Sequence, residues 1–229
     1  MHFVRRFFNR LENLPEQHDT VVVIDVLRSF TTAAVALARG ARAVHPVAGA
    51  TAAASLRHSL PDCLAVGAIA GGDPLPGFDC GNSPAEVLTY LLNDRDVVLC
   101  TAVGVRGLQR FRHSRALYAA SLVCARATAT AIRAAGADEV CFVITGEWVD
   151  RNGDEDIACA DYIEALLRGE SPSAEDFARR VRASDFGRRF GCAAYPHLAA
   201  GDLQLASGVD RYAFAMPVQR HGEQLVIRG

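Results

Sequence analysis

The chain has 229 residues, half of them hydrophobic and 22% charged, a composition that can bury a sizeable core and does not suit a disordered segment. Its formal net charge of −2 supplies no broad basic field, so a nucleic acid is not an expected partner. All 24 basic side chains are arginine, which excludes a P-loop lysine, a Schiff-base lysine and a lysine general base and leaves anion recognition to guanidinium forks and backbone N–H groups.

At the N-terminus, MHFVRRFFNRL breaks its apolar residues with arginines too often for a signal-peptide core, and no later stretch reaches transmembrane length without charge. A cytoplasmic location with no membrane partner is the expectation. Val21 to Asp25 is a short β-branched run that predicts a strand, and Thr31 to Arg39 predicts an Ala-rich helix stopped by Gly40. The alternation continues with strand Ala43 to Val47, helix Ala50 to His58 and strand Cys63 to Gly67, then a Gly/Pro-rich loop and a helix from Pro84 to Asn93. Strand Val97 to Thr101 precedes a helix ending near Phe111, and strand Ala116 to Ala120 precedes helix Ala125 to Ala135, with Gly136 at its C-cap. Strand Val140 to Thr145, a polar loop, helix Asp156 to Arg168 and helix Ala174 to Ala183 follow. Tyr212 to Val218 and Gln224 to Ile227 read as a terminal pair of strands turning near His221 and Gly222.

Strands alternating with helices predict one α/β domain over 1–229, a three-layer α/β/α arrangement around a mainly parallel, mixed sheet with an antiparallel addition at its C-terminal edge. Ligands of such sheets lie beyond the carboxyl ends of the strands, which selects the loops after Asp25, Gly67, Thr101, Ala120 and Thr145. The cysteines Cys63, Cys80, Cys100, Cys124, Cys141, Cys159 and Cys192 are odd in number and form no C-x-x-C pair, so neither a disulfide framework nor a zinc site is suggested.

The segment IDVLRSFTT carries the strongest local signal. Helix starts carry partial positive charge, so Arg28 beside Ser29, Thr31 and Thr32 needs an anion to compensate it. That anion is either a bound phosphate or sulfonate or, in a purely structural alternative, Asp25 itself with Ser29 as the N-cap. Arg106 in TAVGVRGL and Arg126 in SLVCARAT also follow strands and are candidates for the same polyanion, although an arginine-rich chain places some there by chance. In GGDPLPGFDCGNSPAEV, Ser83, Pro84 and Glu86 suit an N-cap, an N1 proline and a capping-box glutamate, while Asp79 and Asn82 offer oxygen ligands to Mg²⁺ or its waters. In TGEWVDRNGDEDIACA, the residues Glu147, Asp150, Asp154, Glu155 and Asp156 surround a helix start, where acidic residues are ordinary but where they also lie at a carboxyl-end loop like Asp25.

IDVLRSFTTA, PGFDCGNSPAE and EDIACA, in this order, resemble the signature segments of the 2-phosphosulfolactate phosphatases, Mg²⁺-dependent enzymes associated with coenzyme M biosynthesis. The resemblance spans about Val21 to Leu167 and places Asp25, Arg28, Thr31, Asp79, Asn82, Ser83, Glu155 and Asp156 on motif positions. It implies hydrolysis of a small anionic phosphate ester, with Asp25, Arg28 and Glu155 catalytic and with Asp25, Asp79, Glu155 and Asp156 holding Mg²⁺. Arg28, Ser29, Thr31, Asn82, Ser83, Arg106 and Arg126 would bind the substrate. Departures lie at Ala68 and Ile69, where the family has a carboxylate and a cation, at Val103 in a polar loop, and at Cys124 in place of an asparagine. They motivate the alternative of a divergent or non-catalytic member that binds an anionic metabolite. An isochorismatase-like hydrolase and a haloacid-dehalogenase phosphatase are disfavoured, because both need a lysine and the second also needs an Asp where Leu27 stands. A homodimer is compatible with the sequence, which specifies no oligomeric state.

Overall fold

In the computed structural model, residues 1–10, 17–68 and 75–229 are described. In chain order they form β1 (His2–Phe7), β2 (Thr20–Ile24), α1 (Ser29–Ala38), β3 (Ala43–Val47), α2 (Ala50–Ser59), β4 (Leu64–Gly67), α3 (Pro84–Val87), β5 (Asp96–Cys100) and α4 (Gly104–Arg110). There follow β6 (Ala116–Ala120), α5 (Ala125–Ala134), β7 (Glu139–Ile144), the two-residue strands β8 (Glu147–Trp148) and β9 (Arg151–Asn152), and α6 (Asp154–Leu167). The chain ends with α7 (Ala174–Ala183), α8 (Ala200–Ala206), β10 (Met216–His221) and β11 (Gln224–Ile227).

The α/β expectation holds: one nine-stranded sheet runs in the order β1-β7-β2-β6-β10-β11-β3-β5-β4, flanked by helices. Two parallel blocks, β1-β7-β2-β6 and β3-β5-β4, are joined by the β10-β11 hairpin. The antiparallel hairpin is therefore at the middle of the sheet and not at its edge as expected. Its joints are narrow: Met216 and Pro217 pair with Ala119 and Tyr118 on one side, and Ile227 pairs with Val44 on the other. Nothing in the period of strands β10 and β11 encodes their neighbours, which are set by non-local packing.

Strand β2, TVVVI, is fully buried because both faces of the sheet are covered there. Val21 and Val23 enter a core with Phe30, Leu99, Leu108 and Phe111, whereas Val22 and Ile24 enter a second core with Leu122, Ile132, Phe142 and Tyr162. Helix α1 is buried from Ser29 through Ala36, since it packs against α3, α4, β3, β5 and β6 at once. Small side chains at Ala33, Ala34 and Ala36 permit that close approach on several sides.

Four features were not evident in the sequence. Strand β1, HFVRRF, carries two adjacent arginines among apolar residues and is tolerated as an edge strand, where Arg5 pairs with Asp161 and Glu164 of α6. The β8-β9 hairpin and α8 are short. The helix expected from Pro84 to Asn93 stops at Val87, because Thr89 and Tyr90 tighten into N–H bonds to Glu86 and Val87 and the Thr89 hydroxyl also donates to the Glu86 carbonyl. Among the described residues, no helix is long and apolar enough to cross a membrane.

Candidate active site

The loops after β2, β4, β5 and β7 line one cleft of about 780 Å³, as the carboxyl-end rule predicted; the loop after β6 does not reach it. Asp25, Leu27, Arg28 and Ser29 come from the first of these loops, Ala68 from the second, Thr101 to Val103 from the third, and Thr145 and Gly146 from the fourth. Arg106, Gln109 and Arg110 on α4 form one wall, and Phe8 and Asn9 from the turn after β1 lie beside them. Trp148, Asp150 and Arg151 of the β8-β9 hairpin, with Phe186 and Arg189, form another.

Three carboxyl groups meet at and behind the base: Asp25 lines the cleft, and Glu155 and Asp156 are buried against Gly146 outside its lining. Asp25 ends β2 and accepts the Ser29 N–H at 2.9 Å, which fastens it to the start of α1. Asp156, in the first turn of α6, accepts the N–H groups of Val26 at 2.8 Å, Thr145 at 3.0 Å and Gly146 at 2.7 Å, so it buckles the ends of β2 and β7 together. Glu155 is 1% exposed and its Oε2 has no hydrogen-bond partner. Two glycines make room for these groups. A Cβ on Gly104 would sit 2.5 Å from Asp25 Oδ2, and one on Gly146 would sit 2.6 Å from Glu155 Oε1.

Burial dominates their protonation. It raises the Asp25 carboxyl against the opposing influence of Ser29, Arg151 and the Gly104 N–H. Burial, the nearby Asp25 charge adding to it, pushes Glu155 up to about 7 against the pull of Arg151. Burial and the charges of Glu155 and Asp25 raise Asp156 as well, while the N–H groups of Val26 and Gly146 hold it down. Three adjacent buried carboxylates cannot all ionise, and backbone donors favour charge on Asp156. The three sites therefore share protons, all raised by burial and Asp156 well above the usual carboxylate range, and Glu155 is poised near neutrality.

The structure separates the other sequence-derived candidates. Arg28 is compensated, but not by Asp25: its Nη1 donates to Asp202 Oδ2 at 2.8 Å and to the His197 carbonyl at 3.0 Å, a buried pair reaching α8. Asp202 also accepts the Ser83 hydroxyl at 2.6 Å and the Ala85 N–H at 3.0 Å. Ser83 caps α3 by accepting the Glu86 N–H, while Glu86 reaches back to the Gly81 N–H, so these two residues serve the helix start and Ser83 is not part of the cleft lining. Ser29 and Asn82 are at the cleft floor: the Ser29 hydroxyl donates to Thr101, Asn82 Nδ2 approaches Ser29 at 3.4 Å, and Asn82 Oδ1 is buried without a partner. Thr31 is wholly buried, bonded to the Val26 carbonyl and the Ser121 hydroxyl, outside the cleft.

Asp79 does not join the carboxyl cluster. Its oxygens are taken by Arg57 at 2.8 Å and by the Ala65 N–H at 2.7 Å. Arg126 also stays away from the cleft, bonded to Asp210 and the Tyr162 hydroxyl at the start of α5, whereas Arg106 lines it. Of the departures from the family pattern, Ala68 and Val103 line the cleft, Cys124 is buried beneath the Ser121 carbonyl, and Ile69 falls outside the described residues.

Among the described residues no group of three or more His, Cys, Asp or Glu side chains is arranged to hold a metal ion. Asp156 is committed to backbone donors and Asp79 to Arg57 and Ala65, so the expected metal set contracts to Asp25 and Glu155. Two carboxylates, one with an orphaned buried oxygen, still fit Mg²⁺, which takes few protein ligands and completes its shell with water and phosphate oxygens.

Arg110, Arg151 and Arg189 were not singled out in the sequence. Arg151 lies over the Phe186 ring at 4.4 Å, and Arg189 pairs with Asp150 at 2.8 Å. An arginine three residues before an acidic helix start carries no local mark of this position.

The model of the family described as 2-phosphosulpholactate phosphatase matches residues 8–185. A probable 2-phosphosulfolactate phosphatase of Deinococcus radiodurans is 37% identical over 177 residues, covering 74% of this chain and 72% of that protein. One from Bacillus subtilis is 27% identical over 206 residues, 90% of this chain and 89% of its own length, and one from Gloeobacter violaceus is 35% identical over 165 residues, 71% and 69% respectively.

Proposed function

The chain belongs to the 2-phosphosulfolactate phosphatase family and is a phosphoric monoester hydrolase, and from that premise we propose that its cleft hydrolyses 2-phosphosulfolactate to sulfolactate and phosphate, with Mg²⁺ as cofactor. The observation that supports this reading is Asp25 at the base of a cleft walled by arginines, with the buried Glu155 close behind it. Bound Mg²⁺, held by Asp25 and Glu155, would neutralise charge on the phosphoryl oxygens.

The chain's own residues supply positioning. Water attacks phosphorus as the ester P–O bond breaks; one water proton stays on the new phosphate, and the other passes to the leaving alkoxide. Asp25 and Glu155, ionised as ligands of the cation, would orient the attacking water rather than titrate. Asp156 fixes the loop ends, and the Asn82 Oδ1 and Ser29 hydroxyl offer polar contacts at the floor. The enzyme would work in the cytoplasm, in the coenzyme M pathway or a related one.

Phosphate release from 2-phosphosulfolactate, with and without chelator, is the test. Chelator-sensitive turnover is expected; metal-independent turnover would remove Mg²⁺ from the reading, and no release across a broad phosphate-ester panel would overturn it. Ala68 and Val103 on the cleft wall favour a second reading, a divergent member that binds an anionic metabolite with little turnover. Tight calorimetric binding of 2-phosphosulfolactate without phosphate release would select it.

A further inference from the structure

Of the five arginines that line the cleft, two have an anionic partner and a third is otherwise engaged. Arg28 is paired with Asp202, Arg189 with Asp150, and Arg110 is also engaged. Arg151 and Arg106 have no ion-pair partner among the described residues, yet both line the cleft, on different walls.

Arg151 projects from β9 and is braced by the Phe186 ring at 4.4 Å. Its Nε is buried without a hydrogen-bond partner, as are those of Arg39, Arg110 and Arg112, but of these only Arg110 shares the cleft with it. It is also the cation whose charge acts on both Asp25 and Glu155, so it lies beside the groups that would handle the reacting water. Arg106 stands on α4 with Gln109 and Arg110, held over the Phe8 ring at 5.7 Å and otherwise exposed to the cleft.

We infer that these two arginines divide substrate recognition: Arg151 meets the phosphoryl group beside Asp25, and Arg106 meets a second acidic group, a sulfonate or carboxylate, on the same small substrate. The inference rests on the phosphatase reading. A guanidinium presents two parallel N–H donors to either kind of oxyanion, so separate arginines can read the two ends of one molecule. Arg151 is a catalytic residue in this scheme and Arg106 a specificity residue.

The test uses the full chain and three esters: 2-phosphosulfolactate, its carboxylate-only analogue 2-phospholactate, and a phosphate ester with no second acid. Arg106→Gln is expected to shrink the preference in kcat/KM for the doubly acidic substrates over the third ester on the order of 100-fold, the size of a lost charge-assisted contact. Arg151→Gln is expected to lower kcat on all three by about 100-fold, and Arg151→Lys to restore little, because the planar fork is lost while the charge is kept. An unchanged preference in Arg106→Gln, or an Arg151→Gln effect confined to the doubly acidic substrates, would overturn the division. If the wild-type chain turns over none of them, the phosphatase reading fails, and calorimetry with inorganic phosphate then decides the inference. Phosphate binding abolished by Arg151→Gln and retained by Arg106→Gln supports it; equal loss in both overturns it.

Discussion

Glu155→Gln separates the stability of the fold from the needs of the site. Glu155 keeps an unpartnered oxygen in a buried pocket with Asp25 and Asp156, and burial pushes its carboxyl up to about 7 from an ordinary 4.5. In the metal-free protein the folded state then holds a proton that the unfolded chain has released. The associated stability is fully present below about pH 4.5 and is lost as pH rises through about 7. The difference corresponds to about 3 kcal/mol at most, or on the order of 10 °C in Tm for a chain of this length. Glutamine keeps the volume and cannot ionise. With chelator present, thermal melts from pH 5 to pH 8 should show the wild type losing stability relative to Glu155→Gln, with the variant the more stable at pH 8 and inactive. A variant less stable than wild type at pH 8, or a difference that does not change with pH, would show that Glu155 ionises without penalty and would refute the proton-sharing argument.

Other perturbations test neighbouring parts of the same structure. Gly104→Ala puts a Cβ 2.5 Å from Asp25 Oδ2, so kcat should fall about 100-fold, the scale of an ångström-level misplacement, while circular dichroism stays native. Asp202→Ala removes the carboxylate paired with buried Arg28 and the acceptor of the Ser83 hydroxyl and the Ala85 N–H; denaturant melts should show a loss of about 3–5 kcal/mol. Asp79→Asn should leave the Mg²⁺ concentration for half-maximal activity unchanged, since Asp79 is bonded to Arg57 and Ala65 away from the carboxyl cluster. A raised Mg²⁺ requirement would return Asp79 to the metal set.

What could be read in the sequence was local. The β-branched runs and Ala-rich segments predicted most of the strands and helices because periodicity and burial are short-range signals, and the carboxyl-end rule selected five loops, of which four line the cleft. The oddity of Arg28 at a helix start was equally local. Its partner was not: Asp202 lies 174 residues away, on a helix of seven residues whose composition announces nothing, and it lies beyond the segment that matches the family model. The central position of the β10-β11 hairpin has the same origin, since a two-residue and a one-residue pairing leave no pattern in either strand.

Arg151 shows why a count of basic residues near acidic motifs could not replace the fold. Arg28, Arg126 and Arg151 are chemically alike, and each lies close to the start of a helix. Folding supplies Asp202 to the first and Asp210 to the second, and gives the third an aromatic ring and no carboxylate partner among the described residues. An arginine becomes available to a substrate anion when long-range packing leaves its charge unpaired beside the reacting groups, and that condition is a property of the whole chain. It also sets the order of expected sensitivities: Arg126→Ala, which removes an exposed pair outside the cleft, should cost activity far less than Arg151→Gln, and phosphate-release rates of the two variants measured side by side would expose an inverted order.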